Sequence, residues 1–283
     1  SDGNNGGSSG GAGGGSGGGQ EIGGGYILPQ GSLSQEEQKK IYDPNINTTT
    51  LFKRVAGAKE HYRIPAIIVT SNNVIITAND IRQNSTKDLG QAGQGPIDVV
   101  VRRSEDLGTT WSEPIAVAGI AQDIKSSYGD AFFINCHNGD VLCGFVTEPG
   151  AQTQNPRGKT VIYRSKDDGK TWSKQFEFMP TEAGIQNADR GFGASGQGLT
   201  LRHGINTGAK KLMFAYSQWN VQGGGLSVTA MVSSDDGLTF LAAGNVRPDD
   251  NNIDETKATE LSDGSIMLNH RRGVEAVSYT HLT

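Results

Sequence analysis

The sequence predicts an all-β protein made of repeated four-stranded units, arranged as a β-propeller. Three observations lead there. From about Leu51 onward, short runs rich in Val, Ile, Thr and Phe alternate with Gly, Asn and Asp turns. Helical periodicity is absent from that stretch. One eight-residue pattern recurs three times, starting at Ser104, Ser165 and Ser233. Each copy closes a strand-like run, as expected of a repeat architecture.

The strand runs come in order at 67–69, 74–77, 99–101, 131–134, 160–163, 212–216, 227–232 and 266–268. The repeated pattern is S-x-D-x-G-x-T-aromatic: Ser104 to Trp111, Ser165 to Trp172 and Ser233 to Phe240. Its physics is that of a hairpin turn. The Asp carboxylate accepts hydrogen bonds from backbone N–H groups of its own turn. The Gly supplies a backbone angle that other residues resist, and the aromatic folds back onto the next strand. These copies are structural staples, not catalytic groups.

Composition sets the remaining boundaries. The chain has 283 residues and a net charge of -5, enough for one large domain or two small ones. Of its 41 glycines, 14 lie in residues 1–25. That Gly/Ser tract cannot bury enough apolar surface to fold and reads as a flexible tether. Residues 26–50 are a polar approach segment, with a start for one short helix at Ser34-Gln35-Glu36-Glu37. Residues 51–276 carry the β pattern. Mild acidity argues against nucleic acid or an anionic membrane as main partner. No apolar run reaches 18 residues, so no membrane span is expected. No signal peptide is visible, and the chain starts at Ser1 without a methionine.

Cys136 and Cys143 flank His137-Asn138-Gly139-Asp140. A two-residue loop at Asn138-Gly139 places them diagonally on one face. Two half-buried thiols and a strained disulfide both fit that placement. The five histidines show no metal-ligand spacing, so neither a metal nor another cofactor is expected.

Two clusters carry chemistry. A hairpin turning at Asn72-Asn73 pairs residue i with 145−i, which sets Arg63 opposite Arg82 on one face. Like charges so opposed destabilise a sheet. They imply a carboxylate or phosphate between them, or an acidic neighbour such as Asp80. In the second cluster a turn at Asp263-Gly264 pairs i with 527−i. Arg271 then faces Thr256, and Glu255 meets Arg271 at the open end of the hairpin. Taken alone, that contact is a surface ion pair of little worth. Asp130 reads as structural.

The octapeptide resembles the Asp-box (BNR repeat) of the sialidase, or neuraminidase, superfamily. Arg63-Ile64-Pro65 resembles the motif that opens bacterial sialidase domains, whose arginine is the first of three gripping the substrate carboxylate. The family's acid/base aspartate follows in a loop about 25 residues later, where this chain has Asp88. Val101-Arg102-Arg103-Ser104 leads into the first box, as in the family. Asp254-Glu255-Thr256-Lys257 is similar to the segment whose glutamate activates the family's tyrosine nucleophile. Arg271 stands where the second arginine of the triad is expected. The glycine-rich stretch after Arg190 is similar to a strand and loop in the middle of these domains. The resemblance runs from about Tyr62 to Val277.

It implies an exo-α-sialidase of the glycoside hydrolase family 33 type, on a six-bladed β-propeller of which about four blades are present. Asp88 and Glu255 would be catalytic, and Arg63, Arg271 and Arg82 would bind substrate. Asp98 is the nearest competitor of Asp88, and Glu260 that of Glu255. Arg82 could equally be paired structurally. Partners would be sialylated glycans, glycoproteins or gangliosides, met in a secreted, periplasmic or cell-surface setting. A trans-sialidase on the same core, a glycan-binding propeller without catalysis and an Asp-box glycosidase for neutral sugars are the alternatives. The family's third arginine and its tyrosine lie beyond Thr283, and residues 277–283 read as a non-native tail. The chain as it stands is therefore expected to be unstable and inactive, with open sheet edges.

Overall fold

The computed structural model describes residues 48–151, 157–246 and 252–271 in full. Outside these it describes backbone strands only, and Arg272 belongs to one of them. The chain divides into two units, Ser1–Thr50 and Leu51–Thr283. In the first, β1 (Glu21–Ile22) pairs antiparallel with β2 (Tyr26–Ile27). The tether and short helix expected there otherwise lie outside the described residues.

The second unit is a succession of antiparallel sheets. β3 (Glu60–Val69), β4 (Ile75–Gln83), β5 (Ile97–Ser104) and β6 (Ile115–Ala116) pair in sequence order. So do β7 (Tyr128–Asn135), β8 (Val141–Thr147), β9 (Thr160–Ser165) and β10 (Ser173–Phe178). The next segment supplies β11 (Ala188–Gly193), β12 (Gly196–Gln197) and β13 (Leu199–Thr200). β12 crosses back and adds in parallel to β7. β11 and β13 both pair with β14 (Leu212–Asn220), and the sheet continues through β15 (Leu226–Ser233) and β16 (Leu241–Asn245). β17 (Ile253–Glu260), β18 (Ile266–Arg272) and β19 (Glu275–Leu282) form the last. The side chains of β19, which includes most of residues 277–283, lie outside the described residues. Among the described residues there is no α-helix, only two short 3-10 turns.

Apolar layers between neighbouring sheets hold this arrangement. Ile76, Val99 and Val101 meet Phe133, Cys143 and Phe145. Phe132, Ile134, Leu142 and Ile162 meet Phe214, Tyr216 and Met231. Met213, Ala215 and Val228 meet Ile253, Ile266 and Leu268. Each inner sheet is covered on both faces, so its strands are apolar throughout instead of alternating. In β7, Ala131 and Phe133 face one layer while Phe132 and Ile134 face the next. Each such buried side chain stabilises by about 1.5–3 kcal/mol. Sheets stacked face to face in chain order make a β-propeller. Phe132 is its tightest joint: a Cβ added to either Gly144 or Gly193 would stand 2.2 Å from its ring.

The three S-x-D-x-G-x-T-aromatic turns share one bonding pattern. In the first, Ser104 Oγ donates to Asp106 at 2.8 Å, and Asp106 accepts from Thr110 N at 2.8 Å and Thr110 Oγ1 at 2.6 Å. The bonds from Thr110 hold the Asp106 carboxyl down at about 2. Asp167 and Asp235 repeat the geometry. Trp111 and Trp172 donate their indole N–H to the carbonyl of the turn glycine, at 3.0 and 3.1 Å.

The hairpin registers differ from the expected ones in a uniform way. Loops at 71–73, 137–139 and 262–264 hold three residues, not two. In each, two backbone bonds close the loop: Thr70 N to Val74 O and Asn73 N to Thr70 O, Cys136 N to Asp140 O and Gly139 N to Cys136 O, Leu261 N to Ser265 O and Gly264 N to Leu261 O. The third loop residue takes positive φ: Asn73 at 61°, Gly139 at 93° and Gly264 at 89°. The pairing sums thus fall by one, to 144, 276 and 526. One consequence concerns the cysteines. They sit on opposite faces of the sheet in different apolar layers, fully buried and free, not half-buried on one face.

Candidate active site

The first strand of each sheet breaks its register near its start, and those breaks deliver the side chains of one cleft. In β3, Arg63 pairs with Asp80 and Ala66 with Ala78, so Ile64 and Pro65 together oppose Asn79. Ile64 takes φ 54° there. In β7 the break falls between Gly129 and Phe132, and Asp130 takes φ 62°. In β17 it falls between Ile253 and Thr256, so Asp254 and Glu255 together oppose Arg271. Bulges of this kind re-aim side chains and concentrate beside active sites.

These breaks correct the expected pairings. Arg63 faces Asp80, and Arg82 faces His61. Loop and bulge each shift the register by one residue. Two single shifts restore the original face, so Arg63 and Arg82 stay on one side of the sheet as diagonal neighbours. Thr256 likewise faces His270, not Arg271.

The cleft has a volume of about 260 Å³. Arg63, Asp88, Asp130, Asp254, Glu255 and Arg271 line it, against a wall that includes Phe192 and Trp219. Trp219 is backed by the Arg190 guanidinium, 5.4 Å from the ring centre. Arg63 comes from the first sheet and Arg271 from the last. Arg63 donates to Asp88 Oδ1 at 3.0 Å and to the Thr86 carbonyl at 3.1 Å. Arg271 donates to Glu255 Oε2 at 2.9 Å. Both arginines and both acids are partly exposed.

Arg82 is not on the cleft wall. It is buried behind Asp88, 2.5 Å from Oδ1. From the other side Asp80 Oδ2 accepts from Arg82 Nη2 at 2.8 Å and from Nε at 3.3 Å. Asp80 Oδ1 accepts from Asp130 N at 3.1 Å. One buried carboxylate therefore braces both Arg82 and the left-handed residue Asp130.

Burial governs the electrostatics. It pushes the Asp130 carboxyl up to about 6, with Asp88 and Glu255 adding to the rise against Arg82 and Arg63. Burial also raises Asp254, helped by Glu255 and opposed by Arg271. Among the described residues Asp254 Oδ1 has no hydrogen-bond partner. Bonds and charge from Glu255, then charge from Asp254, raise Arg271.

Of the expected residues, Arg63, Asp88, Glu255 and Arg271 meet in the cleft, and Arg82 supports it from behind. The competitors stand elsewhere. Asp98 accepts from the Ala121 backbone N–H at 2.5 Å. Glu260 accepts from the backbone N–H groups of Arg202 and His203, at 2.7 and 3.0 Å. Sequence reasoning missed Asp130 as a cleft residue, along with Asp254, Phe192 and Trp219. Gly129-Asp130 inside a strand run was the available signal, since Asp tolerates positive φ.

A scan against family models finds no match. A sialidase of Micromonospora viridifaciens is 30% identical over 227 residues, which is 75% of this chain and 33% of that protein. The chain thus spans about a third of that curated relative's length. Among solved structures, Hadza microbial sialidase Hz136 superposes with a TM-score of 0.66 at 23% identity, over 78% of this chain and 44% of that one. The leech intramolecular trans-sialidase gives 0.62 at 16% identity, over 88% and 53%. By sequence the chain is similar to a bacterial sialidase, and its fold is that of solved sialidases.

Proposed function

We propose that the protein of which this chain is part is an exo-sialidase. It hydrolyses terminal α-linked sialic acids of glycoconjugates with retention of configuration. One observation carries the reading: Arg63 and Arg271, from the first and last sheets, line a single cleft with Asp88 and Glu255. Sialic acid bears its carboxylate on the anomeric carbon. Two guanidiniums hold such a group by charge-assisted bonds and stabilise the oxocarbenium-like transition state. A carboxylate nucleophile would be repelled there, so the family uses tyrosine, one of the exceptions to the two-carboxylate scheme. Glu255 takes the tyrosine proton as general base. Asp88 protonates the leaving glycoside oxygen and then activates the water that releases sialic acid. Arg82 orients Asp88 from behind. Substrates of this class are glycoproteins and gangliosides, reached outside the cytoplasm.

The test is to recover the full-length gene and assay its product on a fluorogenic sialoside. Asp88→Ala and Arg63→Ala serve as controls. Release of sialic acid first as the α-anomer, by proton NMR, is expected, with large losses in both variants. An active Arg63→Ala enzyme, or a product that forms first as the β-anomer, would overturn the assignment.

A further inference from the structure

A second cavity, of about 370 Å³, opens on the third sheet. It lies at the same end of the sheets as the cleft. Both take the end of β14: Trp219 lines the cleft, while Gln218 and Asn220, pointing to the other face, line the cavity. Ser227 and Thr229 at the start of β15, and Asn187 ahead of β11, add to its polar wall, with Gln186, Gln222 and Asn245 around them.

The chemistry of this wall is unusual for its position. Further down the same face, Phe214, Tyr216 and Met231 build an apolar layer. At the cavity those positions become amides and hydroxyls. Gln218, Ser227 and Thr229 are 2%, 1% and 2% exposed. No lining residue is charged. Burying polar groups costs free energy unless their hydrogen bonds are made.

These are half made. Thr229 Oγ1 donates to Gln218 Oε1 at 2.7 Å, and Ser227 Oγ donates to Asn220 Oδ1 at 2.8 Å. Each hydroxyl occupies one end of an amide and leaves the other end, the NH2 group, without a partner among the described residues. Turning either amide over would free its carbonyl instead, so one polar atom per amide always remains for a ligand. The opposite wall is small, built of Gly and Ala around Ala243.

We propose that this cavity binds an uncharged sugar residue through Gln218 and Asn220. Its volume falls within the range of small-molecule sites. Neutral donors and acceptors without any charge suit hydroxyls and acetal oxygens, and repel neither. The choice of a sugar over another neutral polar ligand rests on the cleft being a glycan site.

The test is saturation-transfer NMR on the full-length protein with methyl β-galactoside, methyl β-N-acetylglucosaminide, sialic acid and N-acetylglycinamide. Ala243→Trp plugs the mouth from an exposed position, and Gln218→Met removes the amide. Binding of one of the two neutral glycosides is expected. It should weaken about tenfold or more in both variants and persist in Arg63→Ala, which loses sialic acid alone. If Gln218→Met fails to fold, Ala243→Trp decides. Absence of glycoside binding, undiminished binding in Ala243→Trp, parallel loss in Arg63→Ala, or equal binding of N-acetylglycinamide would each overturn the inference. Glycoside binding without sialic acid binding would leave the cavity standing and count against the cleft.

Discussion

Arg82 and Asp88 approach to 2.5 Å, joining a fully buried guanidinium to a carboxylate on the cleft wall. Asp80 grips the same guanidinium from behind at 2.8 Å. Burial raises the Asp80 carboxyl against the pull of Arg82, so without Arg82 it would take up a proton, and the cost is that of buried hydrogen bonds left unmade, about 1–3 kcal/mol. Arg82→Met is therefore expected to lose stability on that scale in urea unfolding, because Asp80 would remain buried alone. A loss under about 1 kcal/mol would contradict the geometry.

Asp130 predicts a specific pH dependence. Its folded value, about 6, lies above the ordinary aspartate value of 3.8. The folded chain therefore holds a proton that the unfolded chain has released. The stabilisation this brings is complete below about 3.8 and disappears as pH rises through about 6. Asp130→Asn keeps the left-handed backbone, which Asn adopts readily, and cannot ionise. Thermal melts from pH 4 to 7 should show the variant gaining on the parent as pH rises. Parallel curves would clear Asp130 of the effect.

Arg271 separates stability from binding. Its pair with Glu255 is exposed, with side chains 59% and 40% accessible. Exposed pairs contribute about 0–1 kcal/mol, so Arg271→Ala should melt within about 4 °C of the parent. In the full-length enzyme the same change removes charged hydrogen bonds to substrate, worth about 1.5–3 kcal/mol. KM should then rise roughly 10- to 100-fold. An unchanged KM would remove Arg271 from substrate binding.

Gly193→Ala tests the joint between the second and third sheets. The new Cβ would lie 2.2 Å from the Phe132 ring, which Gly144 confines from the other side. Overpacking of this kind costs about 1–3 kcal/mol. Gly193 is not among the glycines with positive φ, so the new Cβ adds no left-handed strain. A melting temperature equal to the parent's would mean that Phe132 yields without cost.

Much of this molecule was legible beforehand. The runs at 131–134 and 212–216 lie inside β7 and β14. The three serine-initiated turns close where the repeat placed them. Arg63, Asp88, Glu255 and Arg271 were nameable from the order of motifs and share a cleft. Register was not legible. Asn-Gly and Asp-Gly pairs signal a hairpin, but they do not say whether the glycine is the second or the third loop residue. In this chain it is the third. Asp130 was missed because the bulge announces itself in residue type only through Gly129-Asp130, which reads equally well as a plain strand start.

The sequence by itself determined where strands form and which turns join them, because alternating apolar runs and turn chemistry act within a few neighbouring residues. It also determined that the chain is all-β. The pairing of Arg271 with Glu255 was legible in the hairpin pattern, but only the tertiary structure decided that Arg63 and Arg82 both meet Asp88. Single-residue shifts in loops and bulges move a side chain by a whole position, and stacking of sheets brings together residues nearly 200 positions apart, such as Asp88 and Arg271. Those contacts depend on burial and register across the whole fold, which no local pattern encodes.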